Sequence, residues 1–488
     1  MHPFVILIII LVYFALLLLI SSITGRRADS SSFYIGNRQS PWYIVSFGMI
    51  GASLSGITFI SVPGWIITSK FYYMQMVLGY LLGYAVIVHV LLPLYYKLKL
   101  TSIYGYLKTR FGNSSYKTGA VFFLISRIIG ASFRLFIVAN VLQITIFNTL
   151  NVPFVLTILI TLLFIYIYTF RGGIKTIVWT DTLQTLFMLS AVVVSIVIVS
   201  GSLDLDLKGL VSSIVNDEHS RMFNFTDWRK SSFFFKQFLS GAFITIVMTG
   251  LDQDMMQKNL SCRNLRDAQK NMYWYSTLLV PVNILFLSLG VLLVRFSHIR
   301  GIPLPEYTDD LFPMLATGAF MPAFLGVIFV LGLIAAAYSS ADSAITALTT
   351  SITIDLFEAE HLEEKRLRTL RWRTHILVSL LIGVVIFVFR LLSNDAVIST
   401  LFKAAGYTYG PLLGLYAFGL FTKLHLRDRW VPVIAVSSPF ISFLIKVLLE
   451  FLIRDYQASF EILVLNGFIT FAGLLLISQT KSPTIKDK

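Results

Sequence analysis

A single cysteine, Cys262, stands in 488 residues. No disulfide can form within the chain, and nothing around this lone thiol marks a catalytic nucleophile. Charge is scarce as well. Asp, Glu, Lys and Arg make up 13% of the residues against 56% hydrophobic ones, and the mean hydropathy is +0.78. A soluble domain carries about 25% charged residues, so a water-soluble fold of this size is excluded. The chain has no HExxH, no GxSxG elbow and no P-loop. Those absences leave no basis for a metalloprotease, a serine hydrolase or an ATP-driven pump built from this chain alone, and no enzyme is expected. No Gly/Ser linker or low-complexity tract divides the sequence. Its longest polar stretches, 97–117, 201–231, 295–320 and 356–372, are too short for an appended domain. One membrane domain over 1–488 is expected.

What the chain has in abundance is long apolar runs. A helix needs about 20 apolar residues to cross ~30 Å of hydrocarbon. About thirteen segments meet that length: 3–23, 42–68, 74–96, 118–146, 152–170, 177–200, 232–256, 271–294, 321–355, 373–392, 398–421, 430–452 and 459–479. They predict an all-α polytopic membrane protein. The first segment lacks a basic leader and is followed by Arg26 and Arg27, which predicts an uncleaved anchor helix. A net charge of +14 is compatible with nucleic-acid binding, but its distribution argues against that partner. Lys and Arg crowd the loops that follow odd-numbered segments, whereas 201–231 carries Asp204, Asp206, Asp217, Glu218 and Asp227. By the positive-inside rule the N-terminus lies outside and the C-terminus in the cytoplasm. The expected location is the cell membrane, with the lipid bilayer as partner. The stretch 356–372, acidic and then basic, reads as a solvated connector whose basic end anchors the next segment.

Two segments are interrupted. The second reads FGMIGASLSGITFISVPGW and the seventh FLSGAFITIVMTGLDQDMMQ. Broken helices at matching places in two halves point to a transporter with inverted repeats and a binding site at the bilayer midplane. Close helix packing through glycine is the plainer account of either one alone. In the ninth segment Ala336, Ser339, Ser340 and Ser343 share one helix face. Hydroxyls suit a hard cation such as Na⁺, and carbonyls freed where the second segment unwinds, near Gly51 and Leu54, would complete the ligand set. The alternative is that the hydroxyls bond back to their own helix. Ionisable residues inside apolar segments are candidate functional groups: Arg127, Arg134, Asp181, Asp252, Asp254, Asp342 and Lys403. Arg134, near mid-depth, is expected to face a cavity or an acidic partner. Asp252 and Asp254, just ahead of Lys258 and Arg263, read as a structural ion-pair network at the inner rim. His89 reads as a local hydrogen-bonding group.

At these residues the chain resembles the sodium:solute symporter family. The motifs that carry the resemblance are GGIKTIVWTDTLQ at 172–184, AAAYSSADS at 335–343, GLDQDMMQK at 250–258 and GYTYGPLLG at 406–414. The resemblance implies a leucine-transporter-type fold with two inverted five-helix repeats, about 42–200 and 232–421, and extra helices at 3–23, 430–452 and 459–479. It implies a sodium site made by the carbonyls of Gly51, Leu54 and Ala336 and the hydroxyls of Ser339 and Ser340. Some members have a second sodium site, for which Asp181, Ser339 and Ser343 match. Asp342, which stands where the sialic acid transporters of the family have serine, is counted with Asp181 and Ser343 in the possible second sodium site. GASLSGITFISVP at 51–63 resembles those transporters and places Ser53, Ser55 and Thr58 on the cavity. Val77 replaces their third-segment Gln, however. Thr245 and Lys403 fall at positions that contact sugar in the sugar carriers of the family.

The resulting expectation is a sodium-coupled symporter that imports a small organic solute by alternating access. Arg134 and Lys403 indicate an anionic solute such as a sugar acid, sialic acid or another carboxylate. Na⁺ is the expected coupling ion, with no other cofactor. The alternatives are a neutral sugar, amino acid or polyol as solute, proton coupling through the aspartates, or a membrane sensor that does not transport.

Overall fold

A computed structural model describes residues 3–26, 28–148, 150–392, 407–458 and 460–479. The described residues are helical almost throughout. The main helices are α1 (Pro3–Thr24), α2 (Trp42–Ser53), α3 (Gly56–Gly64), α4 (Tyr73–Val86), α5 (Asn113–Leu142), α6 (Phe154–Thr169), α7 (Ile174–Ser202), α8 (Phe234–Thr245), α9 (Gln253–Leu260), α10 (Leu265–Ile299), α11 (Ala323–Ser351), α12 (Glu364–Leu392), α13 (Tyr409–Phe421), α14 (Val431–Leu452) and α15 (Glu461–Leu476). A two-residue antiparallel ladder, His425–Leu426 against Ser478–Gln479, ties the ends of α13 and α15 together.

Among the described residues, eight helices are long and apolar enough to cross a bilayer, and two bent pairs raise the number to ten. The expected count of about thirteen is therefore not reached on length. The difference falls at three shorter apolar helices, Phe154–Thr169, Tyr409–Phe421 and Glu461–Leu476, each at an expected segment. The first part of the expected segment 398–421 lies outside the described residues. The stretch 356–372 is mostly exposed, as a solvated connector is, and its basic end is already helical. After the single turn Ala359–His361, α12 already begins at Glu364, so the basic run forms its first turns.

The bent pairs are the two interrupted segments. α2 and α3 meet at 62°, and the helix of 234–250 meets α9 at 65°. At the first break Leu54 donates to the Ile50 carbonyl at 2.9 Å and the helix then stops, with Ser55 in extended geometry. The carbonyls of Gly51, Ala52 and Ser53 thus end a helix with no further helical donor. At the second break a π-turn over Ile246–Gly250 runs into Asp252, whose carboxylate caps α9 through the Asp254 amide at 2.9 Å. Two freed carbonyls there find partners across the molecule. Tyr95 donates to Gly250 O at 2.8 Å and Tyr104 to Leu251 O at 3.1 Å. Broken backbone at membrane depth is tolerated only when satisfied in this way.

α11 is the central helix. Every residue from Leu333 to Ser351 is buried, and it packs along α7, α5, α3 and α2. α4 lies close against α8, where Gly79 faces the Phe238 carbonyl and Gly241 the Met76 carbonyl. Small residues allow such backbone approach. The outer faces of α12 (Leu377, Leu380, Val384) and α14 (Phe440, Leu444, Phe451) are exposed and apolar, as a lipid-facing belt requires.

Candidate functional site

The break between α2 and α3 opens on a cavity of about 140 Å³, lined among others by Ser53, Leu54, Thr58, Arg134 and Thr245. Four of the residues expected at the solute, from α2, α3, α5 and α8, therefore share one space. Ser55, at the break, is buried and is not part of the lining, and Val77 is wholly buried as well. Lys403 lies outside the described residues. The sequence pattern did not single out the tyrosines that furnish the polar wall. Tyr73, Tyr80 and Tyr84 of α4 line the cavity. Tyr84 meets the Tyr275 hydroxyl at 3.0 Å, and Tyr275 in turn contacts the Ser53 hydroxyl. Their spacing puts Tyr73, Tyr80 and Tyr84 on one helix face, a signal that was present but that membrane interfaces also produce.

Two arginines of α5 enter the cavity, with different commitments. Arg127 is paired with Asp254 and lies 3.7 Å from Asp252, which also accepts from the Tyr409 hydroxyl at 3.2 Å. Asp252 and Asp254 thus form a structural ion-pair network with Arg127 rather than with the neighbouring Lys258 and Arg263. Arg134, about two turns further along α5, has no ion pair or side-chain hydrogen bond among the described residues. His89 makes one local contact, to the Tyr273 hydroxyl at 2.7 Å.

Behind the break lies the face of hydroxyls on α11. Ser340 Oγ stands 3.4 Å from the Ala52 carbonyl and 3.4 Å from that of Ala336, which brings the α11 face to the end of α2. Gly51 of the same helix end donates its N–H to Thr185 Oγ1 at 3.0 Å. A Cβ on Gly51 would run into that threonine. Hard oxygen donors from two helices, one of them broken, fit a dehydrated Na⁺. Ser339 is turned the other way and donates to Asp181 Oδ1 at 2.6 Å. Asp181 Oδ2 pairs with Lys258 Nζ of α9 at 2.7 Å, both side chains being buried. Asp342 Oδ2 accepts from Tyr168 at 2.8 Å, and Ser343 lies beside Asp181. Lys258 is a partner that the sequence left at the inner rim. It reaches Asp181 from α9, the short helix that follows the second break. Among the described residues, no three His, Cys, Asp or Glu side chains gather as a metal cluster.

The profile of the sodium:solute symporter family matches residues 33–425. The chain is 26% identical to the sodium/sialic acid symporter of Aliivibrio fischeri, over 82% of this chain and 79% of that one. It is likewise 26% identical to the human sodium-coupled monocarboxylate transporter 2, over 81% of this chain and 64% of that one. Among solved structures, the substrate-bound, outward-open state of a Na⁺-coupled sialic acid symporter superimposes with a TM-score of 0.81 at 20% identity, covering 99% of each chain. At that identity the likeness shows a shared fold, the leucine-transporter type.

Proposed function

Because the chain belongs to the sodium:solute symporter family, and so is a multi-pass carrier that couples a solute to Na⁺, we propose that its solute is a small organic anion bound through a carboxylate. The observation that carries this reading is Arg134, a cation in the cavity wall with no ion pair among the described residues, beside an Arg127 that is already neutralised by Asp252 and Asp254. A guanidinium fork matches a carboxylate in a bidentate pair, and a buried charge left unmatched is costly. The names of two relatives, a sialic acid symporter and a monocarboxylate transporter, point the same way. A space of about 140 Å³ compares with a cavity that admits a benzene-sized guest. It suits a short carboxylate as it stands, and a larger sugar acid requires it to widen.

In this reading Na⁺ binds between the Gly51–Leu54 break and the Ala336–Ser340 face, which orders the broken helix that also bears Ser53 and Thr58. The solute then meets a preformed wall. Opening to the cytoplasm loosens the same contacts and releases ion and solute together. Coupling is the difference in ion affinity between the two states. We place the carrier in the cell membrane with its N-terminus outside, as the charge distribution supports. Transport needs no covalent step, no organic cofactor and no nucleic acid.

The test is uptake into proteoliposomes of short monocarboxylates, sugar acids, sialic acid and their neutral analogues, under inward Na⁺, K⁺ or proton gradients. A carboxylate taken up with Na⁺ alone is the expected result. Preference for a neutral sugar, or equal uptake under a proton gradient without Na⁺, overturns it.

A further inference from the structure

The tyrosine hydroxyls of the solute cavity are satisfied within the protein. Tyr73 and Tyr80 pair at 3.2 Å, Tyr84 meets Tyr275 at 3.0 Å, and Tyr275 contacts Ser53. Two buried atoms of the wall have no hydrogen-bond partner among the described residues, Arg127 Nε and Asn283 Oδ1. Arg127 Nε belongs to a guanidinium that Asp254 and Asp252 already hold. Asn283 Oδ1 is a neutral acceptor on α10, and its side chain is 1% exposed. The other end of the amide fixes its orientation. Nδ2 donates to the Leu279 carbonyl, one turn earlier, at 2.8 Å, and an oxygen turned to that carbonyl would meet it lone pair to lone pair. Oδ1 therefore points away from its own helix backbone. Leu279 and Asn283 share the face of α10 that lines the cavity. A polar group inside an apolar span is expensive to bury, and an unmet acceptor stays costly until a donor reaches it.

We propose that Asn283 Oδ1 accepts a hydrogen bond from a hydroxyl of the solute, so that the carrier selects hydroxycarboxylates over plain carboxylates. The cavity wall then holds two unmatched groups of opposite demand. Arg134 has only donors and takes the carboxylate. Asn283 offers only an acceptor and takes a proton that an unsubstituted acid does not carry. Such an acid would fill the space and leave Oδ1 unmet, and a site built around a solute hydroxyl discriminates strongly against the analogue that lacks it. Asn283 comes from α10, which supplies none of the site residues read from the sequence, because an uncharged amide does not stand out in an apolar run as a charge does. The inference rests on the carboxylate reading and narrows it to a class of acid.

The experiment uses the full chain in proteoliposomes and competes matched acids against Na⁺-driven uptake of the best radiolabelled solute. One set is short, propionate against α-hydroxypropionate and β-hydroxypropionate. The other is long, hexanoate against gluconate. In wild type the best hydroxylated member of a competing set is expected to bind roughly tenfold more tightly than its plain partner, as follows when one buried polar group is otherwise left unmet. Asn283→Leu, of similar volume and without an acceptor, is expected to bring that ratio close to one. An asparagine that only supports folding would lower both affinities together and keep the ratio. Equal binding of plain and hydroxylated acids by wild type, or a ratio kept in Asn283→Leu, overturns the assignment while the carboxylate reading stands. Where Asn283→Leu does not fold, Asn283→Ser is expected to narrow the ratio, and a ratio kept there overturns the assignment equally. Failure of every acid to compete overturns the carboxylate reading and this inference with it.

Discussion

Arg127 and Arg134 project from one helix into one cavity, yet only Arg127 is neutralised by protein carboxylates. That difference sets the specificity prediction. Arg134→Gln keeps a hydrogen-bonding side chain of similar length and removes the charge. It should cost affinity for a carboxylate solute by ~2 kcal/mol, roughly thirtyfold, in the range of a lost charged hydrogen bond, and should barely change binding of the neutral amide analogue. Competition of both compounds against radiolabelled uptake checks it; equal losses for acid and amide would assign Arg134 to folding. Ser340 supports a second residue-scale prediction. Its hydroxyl bridges toward the Ala52 and Ala336 carbonyls, so Ser340→Ala should raise the Na⁺ concentration for half-maximal uptake by a factor of about 5–150, the equivalent of ~1–3 kcal/mol for one unmet partner. Wild-type Na⁺ activation in this variant would remove Ser340 from the ion site. The approach of Ser340 to the broken helix followed from its spacing with Ala336, whereas Ser339 and Ser343 are turned toward Asp181 instead. The pairing of Lys258 with Asp181 was not legible, because periodicity says which way a side chain points and not which distant helix it meets.

At the scale of elements, the broken helices were the most legible feature. Gly, Ser and Asp inside an apolar run disfavour a continuous helix, and both breaks fall within those runs. How the breaks are held in place was hidden. The loop after α4 supplies Tyr104 to the Leu251 carbonyl, and its backbone at Thr101 and Ile103 brackets the Gln253 amide at 3.1 and 2.9 Å. Gly51 locks the other break against α7. Gly51→Ala places a methyl on Thr185 and should destabilise the protein by ~1–3 kcal/mol through overpacking. Thr185→Ala should relieve part of that loss in the double variant, read as thermal unfolding in detergent; additive losses would mean that the two residues do not press on each other. An exposed charged tether gives a pH-dependent prediction. Lys108 and Lys117 hold Glu358 through hydrogen bonds at 2.6 and 3.2 Å and keep its carboxyl below the usual carboxylate range. A depressed carboxyl stabilises the folded tether above its unfolded pKa, about pH 4–5, and the contribution is lost as pH falls through the lower folded value. The group is partly exposed, so Glu358→Gln should cost no more than ~1 kcal/mol and less in high salt. The tether joins the short helix Gly105–Arg110 and the start of α5 to the segment after α11, so turnover should change more than stability does, and identical turnover in the variant would leave it a surface pair.

For the whole molecule, the broken α2–α3 pair is the piece that ion and solute share. Its break meets Ser340 at the Ala52 carbonyl and carries Ser53 and Thr58 on the cavity wall. Two ligands that order one element must help each other, and the help is reciprocal at equilibrium. Saturating Na⁺ should therefore tighten solute binding by the same factor by which saturating solute tightens Na⁺ binding, within the 5–150-fold that ~1–3 kcal/mol of coupling gives. Membrane class and fold family were readable over nearly the whole length because apolar runs and ordered motifs are properties of the sequence itself. The strength of coupling is not, since it depends on how far the break is disordered without ions. Calorimetric titration of the best carboxylate in choline and in Na⁺, paired with Na⁺ titration with and without that carboxylate, measures both sides of the cycle. Ser340→Ala should shrink both factors equally, whereas Arg134→Gln should reduce solute affinity in Na⁺ and in choline alike and leave Na⁺ binding to the empty carrier unchanged. If Na⁺ does not alter solute affinity, ion and solute do not act through one helix, and the coupling must reside in the rates of opening instead.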